Sequence, residues 1–284
     1  MRFALATCAR LPEPDPDERP LLEALRAAGH EAEPLAWDDP SADPAAYDLV
    51  VLRATWNYHL DPDRFLAWLE RVDAVTRLVN PLPVVRWNLH KRYLAELAAA
   101  GVPAVPTVWL DRGQVVTARE LRAQTGWDDV VVKPAISAAS FETHRLSLGD
   151  EATADPLLRR LSASRDAMVQ PYLRSIEEHG ERSLVWIAGL VTHVVGKRPR
   201  FAGGDERATK AAAPSSAERR IVDAALQGWR HRALYARIDL LPADDGQPLL
   251  SELELIEPSL FLAESATALR RLADALVGAT RSAE

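Results

Sequence analysis

Residues 235–258, YARIDLLPADDGQPLLSELELIEP, constrain the fold more than any other stretch of this 284-residue chain. Two runs that alternate apolar and charged residues flank Asp244-Asp245-Gly246, a turn sequence, and predict an antiparallel hairpin over 235–256. Side chains two apart share a face of a strand, so Arg237 goes with Asp239 and Glu252 with Glu254. Pairing across the turn puts all four on one face with Leu250 beside them, while Ile238, Leu240, Leu253 and Leu255 fill the other. Three carboxylates this close repel, and Arg237 answers only one of them. A hard divalent ion, which takes carboxylate oxygens together with substrate phosphates, would settle the deficit; the three carboxylates should then converge within one ion's reach. A solvated hairpin face with an Arg–Glu cross-strand pair is the alternative.

The first third of the chain alternates strand and helix signals. Short apolar runs at 2–6 and 48–54 are of strand length, and 19–28 is helix-periodic up to Gly29. Asp61-Pro62 is an N-cap with proline at the first helical position, opening a helix through Val72. This order predicts a parallel α/β layer over 1–83, ended by Asn80-Pro81-Leu82-Pro83. Asn88 then caps a helix to Ala100, with Lys91 in its first turn. From there the style is α+β. Strands are expected at 105–110, 130–133 and 168–171, with one short helix among them. A hairpin at 181–197 turns at Ala188-Gly189, a loop covers 198–214, and helices follow to about Trp229 and over 266–277. The expected division is 1–83 and 84–284, the latter with a central lobe at about 102–172 and a C-terminal lobe at 173–284. The loop at 198–214 is polar and aperiodic and holds Gly203-Gly204, as ligand-closing lids do.

A formal net charge of −7 argues against a phosphate-backbone binder, so nucleic acid is not expected as a partner. One cysteine, Cys8, makes no internal disulfide, and no apolar run approaches a membrane span. Together with an N-terminus that lacks a secretory apolar region, these point to the cytoplasm. The seven histidines show no zinc spacing.

Two lysines stand where lysine is costly. Lys133 ends the β-branched run Val130-Val131-Val132, where a buried ammonium needs an anion unless it snorkels to water. Lys91 adds positive charge to a helix start, an arrangement that suits a phosphate. Arg53, after the second strand, could hold a carboxylate or be structural.

Taken in order, a helix-start lysine, VVKP, VQPYL, a hairpin, an arginine in a glycine-bearing loop, and D…E-x-E resemble the ATP-grasp superfamily, bacterial glutathione synthetase and the ligase that adds glutamate to a ribosomal protein among them. RATWNYH, RWNLHKRY, VVKPAISA and ELELIEPSLFL are similar to a smaller branch that includes the cyclo-ligase of cycloserine biosynthesis. The resemblance spans about 87–262. It implies an ATP-grasp fold: an N-terminal α/β domain and two α+β lobes enclosing ATP. It implies an ATP-dependent ligase that activates a small-molecule or amino-acid carboxylate as an acyl phosphate, for attack by an amine or by cyclisation. A small-molecule kinase, or a nucleotide-binding module without catalysis, is the alternative on the same fold.

Position by position, the resemblance gives Lys91 and Lys133 to the nucleotide phosphates, and Gln170, Pro171 and Tyr172 to the adenine edge. Glu181 goes to the ribose. Asp239, Glu252 and Glu254 go to Mg2+, with Mn2+ as a substitute, and Arg237 and Arg207 to the transferring phosphoryl group. The loop after Lys133 reads AISAAS where relatives are often glycine-rich, so Ser137 and Ser140 would donate hydroxyls in place of backbone amides. Thr209 stands where relatives have asparagine. Single-chain and homodimeric arrangements both remain open.

Overall fold

A computed structural model describes residues 1–197 and 208–281. The N-terminal layer comprises β1 (Arg2–Thr7), α1 (Glu18–Ala27), β2 (Glu31–Ala36), β3 (Leu49–Ala54), α2 (Pro62–Val75) and β4 (Arg77–Val79). Its sheet runs β2-β1-β3-β4 and is parallel throughout. Leu21, Leu22 and Leu25 form the buried face of α1, and Gly29 takes the positive φ of 82° that follows its end. Asp61 caps α2 by accepting from Arg64 N, with Pro62 in the first turn. β2 escapes the apolar pattern because EAEPLA alternates charge and holds Pro34; it lies at the sheet edge, where proline is tolerated.

Two short helices follow, α3 (Leu82–Leu89) and α4 (Tyr93–Ala99). Here the structure corrects the sequence reading. Asn88 is not an N-cap; it lies buried inside α3, and Lys91 sits in the break between the helices. The Asn88 side chain donates to Leu253 O at 2.7 Å and accepts from Leu255 N at 2.8 Å. It therefore ties α3 to the far strand of the carboxylate hairpin, a long-range contact that outbids a local cap.

Next come β5 (Val108–Leu110), α5 (Ala118–Thr125), β6 (Asp129–Pro134), β7 (His144–Ser147), α6 (Glu151–Ser164) and β8 (Ala167–Pro171). They form an antiparallel sheet, β5-β8-β6-β7. Leu121, Leu158 and Leu161 from the two helices pack on Val130, Val132 and Val169. β7 and the long α6 lie outside the sequence expectation. β7 stops pairing at Val132, so Pro134 needs no donor on that side.

The last part is α7 (Ser175–His179), β9 (Glu181–Ile187), β10 (Leu190–Lys197), β11 (Ala208–Lys210), α8 (Ser216–Ala225), β12 (Tyr235–Pro242), β13 (Pro248–Glu254) and α9 (Ala266–Arg281). Its antiparallel sheet is ordered β11-β10-β9-β12-β13. Ala188 and Gly189, with φ of 45° and 94°, make the two-residue turn between β9 and β10. Val130 and Asp239 thus lie in separate antiparallel sheets. α9 returns to the N-terminal layer, where Leu272 and Leu276 share a core with Phe3, Leu21 and Ile187. No helix among the described residues is long and apolar enough to cross a membrane.

Truncating Asn88 to alanine strands a buried donor and a buried acceptor, each costing about 1–3 kcal/mol. Asn88→Ala should therefore lose about 2–6 kcal/mol in urea denaturation. Arg86→Ala, which breaks an exposed pair with Glu70, should lose at most about 1 kcal/mol.

Candidate active site

The hairpin register builds the site. Arg237 stands opposite Glu254, and Asp239 opposite Glu252, so the four share a face. The register then shifts between Asp239 and Leu240, leaving Ser251 as an extra residue, and Leu240 pairs with Leu250. This bulge moves Leu250 off the carboxylate face. It joins Ile238, Leu240, Leu253 and Leu255 in the apolar core instead.

A cavity of about 750 Å3 opens where the two antiparallel sheets face each other, and the charged face forms one wall. Glu252 receives Lys91 at 2.9 Å and, from β6 of the other sheet, Lys133 at 3.6 Å. Lys91 also donates to Ser137 O at 2.8 Å. Arg237 grips Asp239 through Nε at 2.9 Å and Nη2 at 2.8 Å, and Nη2 also meets Glu254. The Ser183 hydroxyl donates to Asp239 at 2.5 Å, and Lys197 stands 3.3 Å away while pairing with Glu181. Lys91, Lys133 and Lys197 thus supply the positive charge that the hairpin alone lacks. Among the described residues no group of three or more His, Cys, Asp or Glu side chains is gathered closely enough to hold a metal ion. Asp239, Glu252 and Glu254 face the same way, but each is turned onto a basic side chain rather than toward a common point.

The charges are unevenly matched. Burial would raise the Glu252 carboxyl, but Lys91 and then Lys133 bring it down to about 2. Burial acts on Asp239 too, and Arg237 and Lys197 hold it well below the usual carboxylate range. Glu254 shares Arg237 with the better-placed Asp239, so burial wins and its carboxyl is pushed up to about 8. Glu257 is raised to about 7, again chiefly by burial, against the attraction of Lys91. Glu181 is raised by burial against the pull of Lys197.

The other expected residues fall as follows. Ser137, Ser140, Gln170, Pro171, Tyr172 and Glu181 all line the cavity. Ser140 adopts a positive φ of 56°, next to Ala139 at 49°, in the loop after Lys133. Gln170 is anchored by its Nε2 donating to Thr107 Oγ1 at 3.0 Å, and Tyr172 carries Arg145 over its ring at 3.7 Å. Thr209 lies in β11 opposite Gly196. Arg207 lies outside the described residues, as does most of the loop expected at 198–214. Arg53 is not among the cavity-lining residues: it is buried and its Nη2 lies 3.2 Å from the buried Asp17. Sequence reasoning missed Lys197, Ser183 and Glu257. Lys197 comes opposite Glu181 only through a register shift between Val191 and His193, which the turn at Ala188-Gly189 does not signal.

Residues 3–80 match the family described as D-cycloserine synthetase DcsG, N-terminal domain. Across the whole chain, the cycloserine biosynthesis protein DcsG of Streptomyces lavendulae is 36% identical over 297 residues, covering 96% of this chain and 97% of that protein. The chain belongs to the DcsG family of ATP-grasp ligases. The crystal structure of D-cycloserine synthetase DcsG superposes with a TM-score of 0.90 at 34% identity, covering 99% of this chain and all (100%) of that one. More distant structures share the ATP-grasp fold. A RimK domain protein from Sphaerobacter thermophilus gives a TM-score of 0.70 at 18% identity, covering 98% and 100% of the two chains. The ATP-grasp ligase PsnB, solved with a minimal precursor, Mg and ADP, gives 0.64 at 21%, covering 99% and 97%. In this DcsG-family chain the lysine–carboxylate network therefore lies in the cleft of an ATP-grasp fold.

The network also makes stability depend on pH. Glu254 keeps its proton to about 8 when folded, against 4.5 ordinarily, so its stabilisation is fully present below about 4.5 and is lost as pH rises towards 8. Glu257 acts in the same direction up to about 7. Glu252 does the reverse: its contribution is present above about 4.5 and is lost as pH falls towards 2. In metal-free buffer, unfolding free energy should fall between pH 5 and 8, and fall less in Glu254→Gln. Equal slopes for the two proteins would mean that Glu254 is ionised throughout.

Proposed function

We propose that this protein is an ATP-dependent ligase that activates a small-molecule carboxylate as an acyl phosphate for attack by an amine or similar nucleophile, including one within the same molecule. The observation that carries the reading is Lys91 and Lys133 converging on Glu252 from separate parts of the fold, inside the cleft. A carboxylate is a poor acyl donor because its leaving group would be oxide. Transfer of the γ-phosphoryl of ATP to a carboxylate oxygen releases ADP and leaves phosphate as the group the nucleophile displaces. The protein needs no nucleophile of its own for this, only positioning and charge neutralisation. Cys8, buried and bonded to Ala54 O at 3.1 Å, has no part in it.

In this reading Lys91 and Lys133 turn from Glu252 to the phosphates of ATP. The backbone of Gln170, Pro171 and Tyr172 borders the adenine, Glu181 meets the ribose, and Ser137 and Ser140 close over the phosphates. Arg237, and Arg207 from outside the described residues, would face the transferring phosphoryl group. Asp239, Glu252 and Glu254 fit Mg2+ as a donor set, being three oxygen ligands on one face of the two-stranded hairpin. When bound, the ion would neutralise phosphate charge during transfer. The site's setting is then the cytoplasm, where ATP is supplied.

Lys133→Ala removes a charge-assisted contact to phosphate of about 1.5–3 kcal/mol, which is roughly a tenfold to hundredfold loss in ATP affinity. Lys91→Ala should act alike, and Cys8→Ala should leave turnover nearly unchanged. With pooled amino acids, ATP and Mg2+, wild type should release ADP and, with hydroxylamine present, form a hydroxamate. Glu252→Gln should lose most of this magnesium-dependent turnover while remaining folded. ADP release with a stable phosphorylated product and no hydroxamate would make the protein a kinase.

A further inference from the structure

Arg237 is held from two directions. Its Nε and Nη2 meet Asp239 at 2.9 and 2.8 Å, and Nη2 also meets Glu254. From the other side Nη1 donates to Ser259 O at 3.4 Å, and the guanidinium carbon lies 6.0 Å from the centroid of the Phe261 ring. The two carboxylates are also the groups assigned to Mg2+, so what they give an ion is lost to Arg237. Ser259 O and the Phe261 ring carry no such second task. They are the partners that stay with Arg237 once the cleft is loaded, and their placement decides where its remaining N–H groups point.

Ser259 and Phe261 lie in the irregular stretch between the end of β13 at Glu254 and a single 3-10 turn at Leu262–Glu264. Buried amides there need acceptors from elsewhere, and Asp17 of the N-terminal layer supplies them. Its Oδ2 accepts from Leu260 N at 2.6 Å and its Oδ1 from Leu262 N at 2.7 Å. The two bonded amides flank Phe261, whose positive φ of 48° is one that an apolar residue keeps only when its surroundings impose it. Asp17 occupies the N-cap position of α1 but makes no side-chain bond to that helix. It is fully buried, and Oδ2 also meets the buried Arg53 at 3.2 Å. Its own backbone is fixed by Asp15 Oδ1, which accepts from Asp17 N at 3.0 Å. A carboxylate at a helix start has thus been turned away from the helix, onto the segment that touches Arg237.

We propose that Asp17 is a positioning residue for Arg237: by bonding the amides on both sides of Phe261 it holds Ser259 O and the Phe261 ring against the guanidinium, and so aims Arg237 at the γ-phosphoryl group. The assignment rests on the nucleotide reading of the cleft, and it is tested by binding rather than by turnover. Dissociation constants are measured calorimetrically, with Mg2+, for a non-hydrolysable ATP analogue and for ADP, which lacks the γ-phosphoryl group. Groups that hold the base, the ribose and the inner phosphates act on both nucleotides, so the ratio of the two constants isolates the γ-phosphoryl contact. Asp17→Asn keeps the shape, but its amide nitrogen cannot accept the second backbone bond. It should weaken the analogue about tenfold relative to ADP, the size of one charge-assisted contact, with ADP itself changed less than about twofold. A loss of fold alone would weaken both nucleotides alike. Because Asp17→Asn leaves Arg53 buried without its partner, the variant is also made together with Arg53→Met, and the same fall in the ratio is expected. In Arg237→Gln, Asp17→Asn should change the ratio by less than about twofold more, since a residue that acts through Arg237 has nothing left to aim. The proposal is overturned if the ratio stays at the wild-type value in both Asp17 variants, or if Arg53→Met restores it. It is equally overturned if Asp17→Asn keeps its full effect without Arg237. A wild-type protein that binds neither nucleotide would reject the nucleotide reading and this assignment with it, whereas normal wild-type binding with an unchanged ratio in the variants rejects the assignment alone.

Discussion

Glu252 is the point on which the cleft closes. Its carboxylate is shared by Lys133, which ends β6 in the central sheet, and Lys91, which sits in the break between α3 and α4. Neither lysine is more than slightly exposed, with side chains at 13% and 7% of full accessibility. Removing one partner of such a pair typically costs about 3–5 kcal/mol, because the other charge stays buried. The two sheets are therefore held face to face by a contact that is stable only while each charge has a partner. Phosphates and a divalent ion are the partners that could replace it charge for charge.

The rest of the structure keeps that contact in register. Asn88 bonds the backbone on both sides of Glu254, at Leu253 and Leu255. Asn80 donates to Tyr235 O and Leu255 O and accepts from Leu234 N, fixing the start of β12. The Tyr235 hydroxyl donates its one proton to the Leu52 carbonyl at 2.7 Å, with the Ile256 carbonyl at 2.9 Å as the alternative acceptor, joining the hairpin to the parallel sheet. Asp17 then clamps the segment that follows. Each of these is a buried side chain bonded to backbone groups of another element.

What was legible in the sequence follows from range. The hairpin, its charged face and the turn at Ala188-Gly189 rest on periods of two and on turn residues, which act over a few positions. Lys133 stood out because ammonium is rare at the end of a β-branched run. Asn88 misled because a local cap and a distant backbone tie look alike in one dimension. Leu250 misled because a bulge leaves no mark in the alternation. The pairing of Glu252 with Lys91 and Lys133 spans separate parts of the fold, so the sequence could name the residues but not their partners. β2 hid behind Pro34 and its charges, a pattern that becomes reasonable only once the strand is known to lie at an edge.

The account stands or falls on whether the lysines give up Glu252. A crystal structure with Mg2+ and a non-hydrolysable ATP analogue tests this directly. The account predicts the nucleotide between the two antiparallel sheets, with Lys91 and Lys133 on its phosphates and Glu252 on the ion beside Asp239 and Glu254. A nucleotide bound elsewhere, with Glu252 still paired to both lysines, would contradict it.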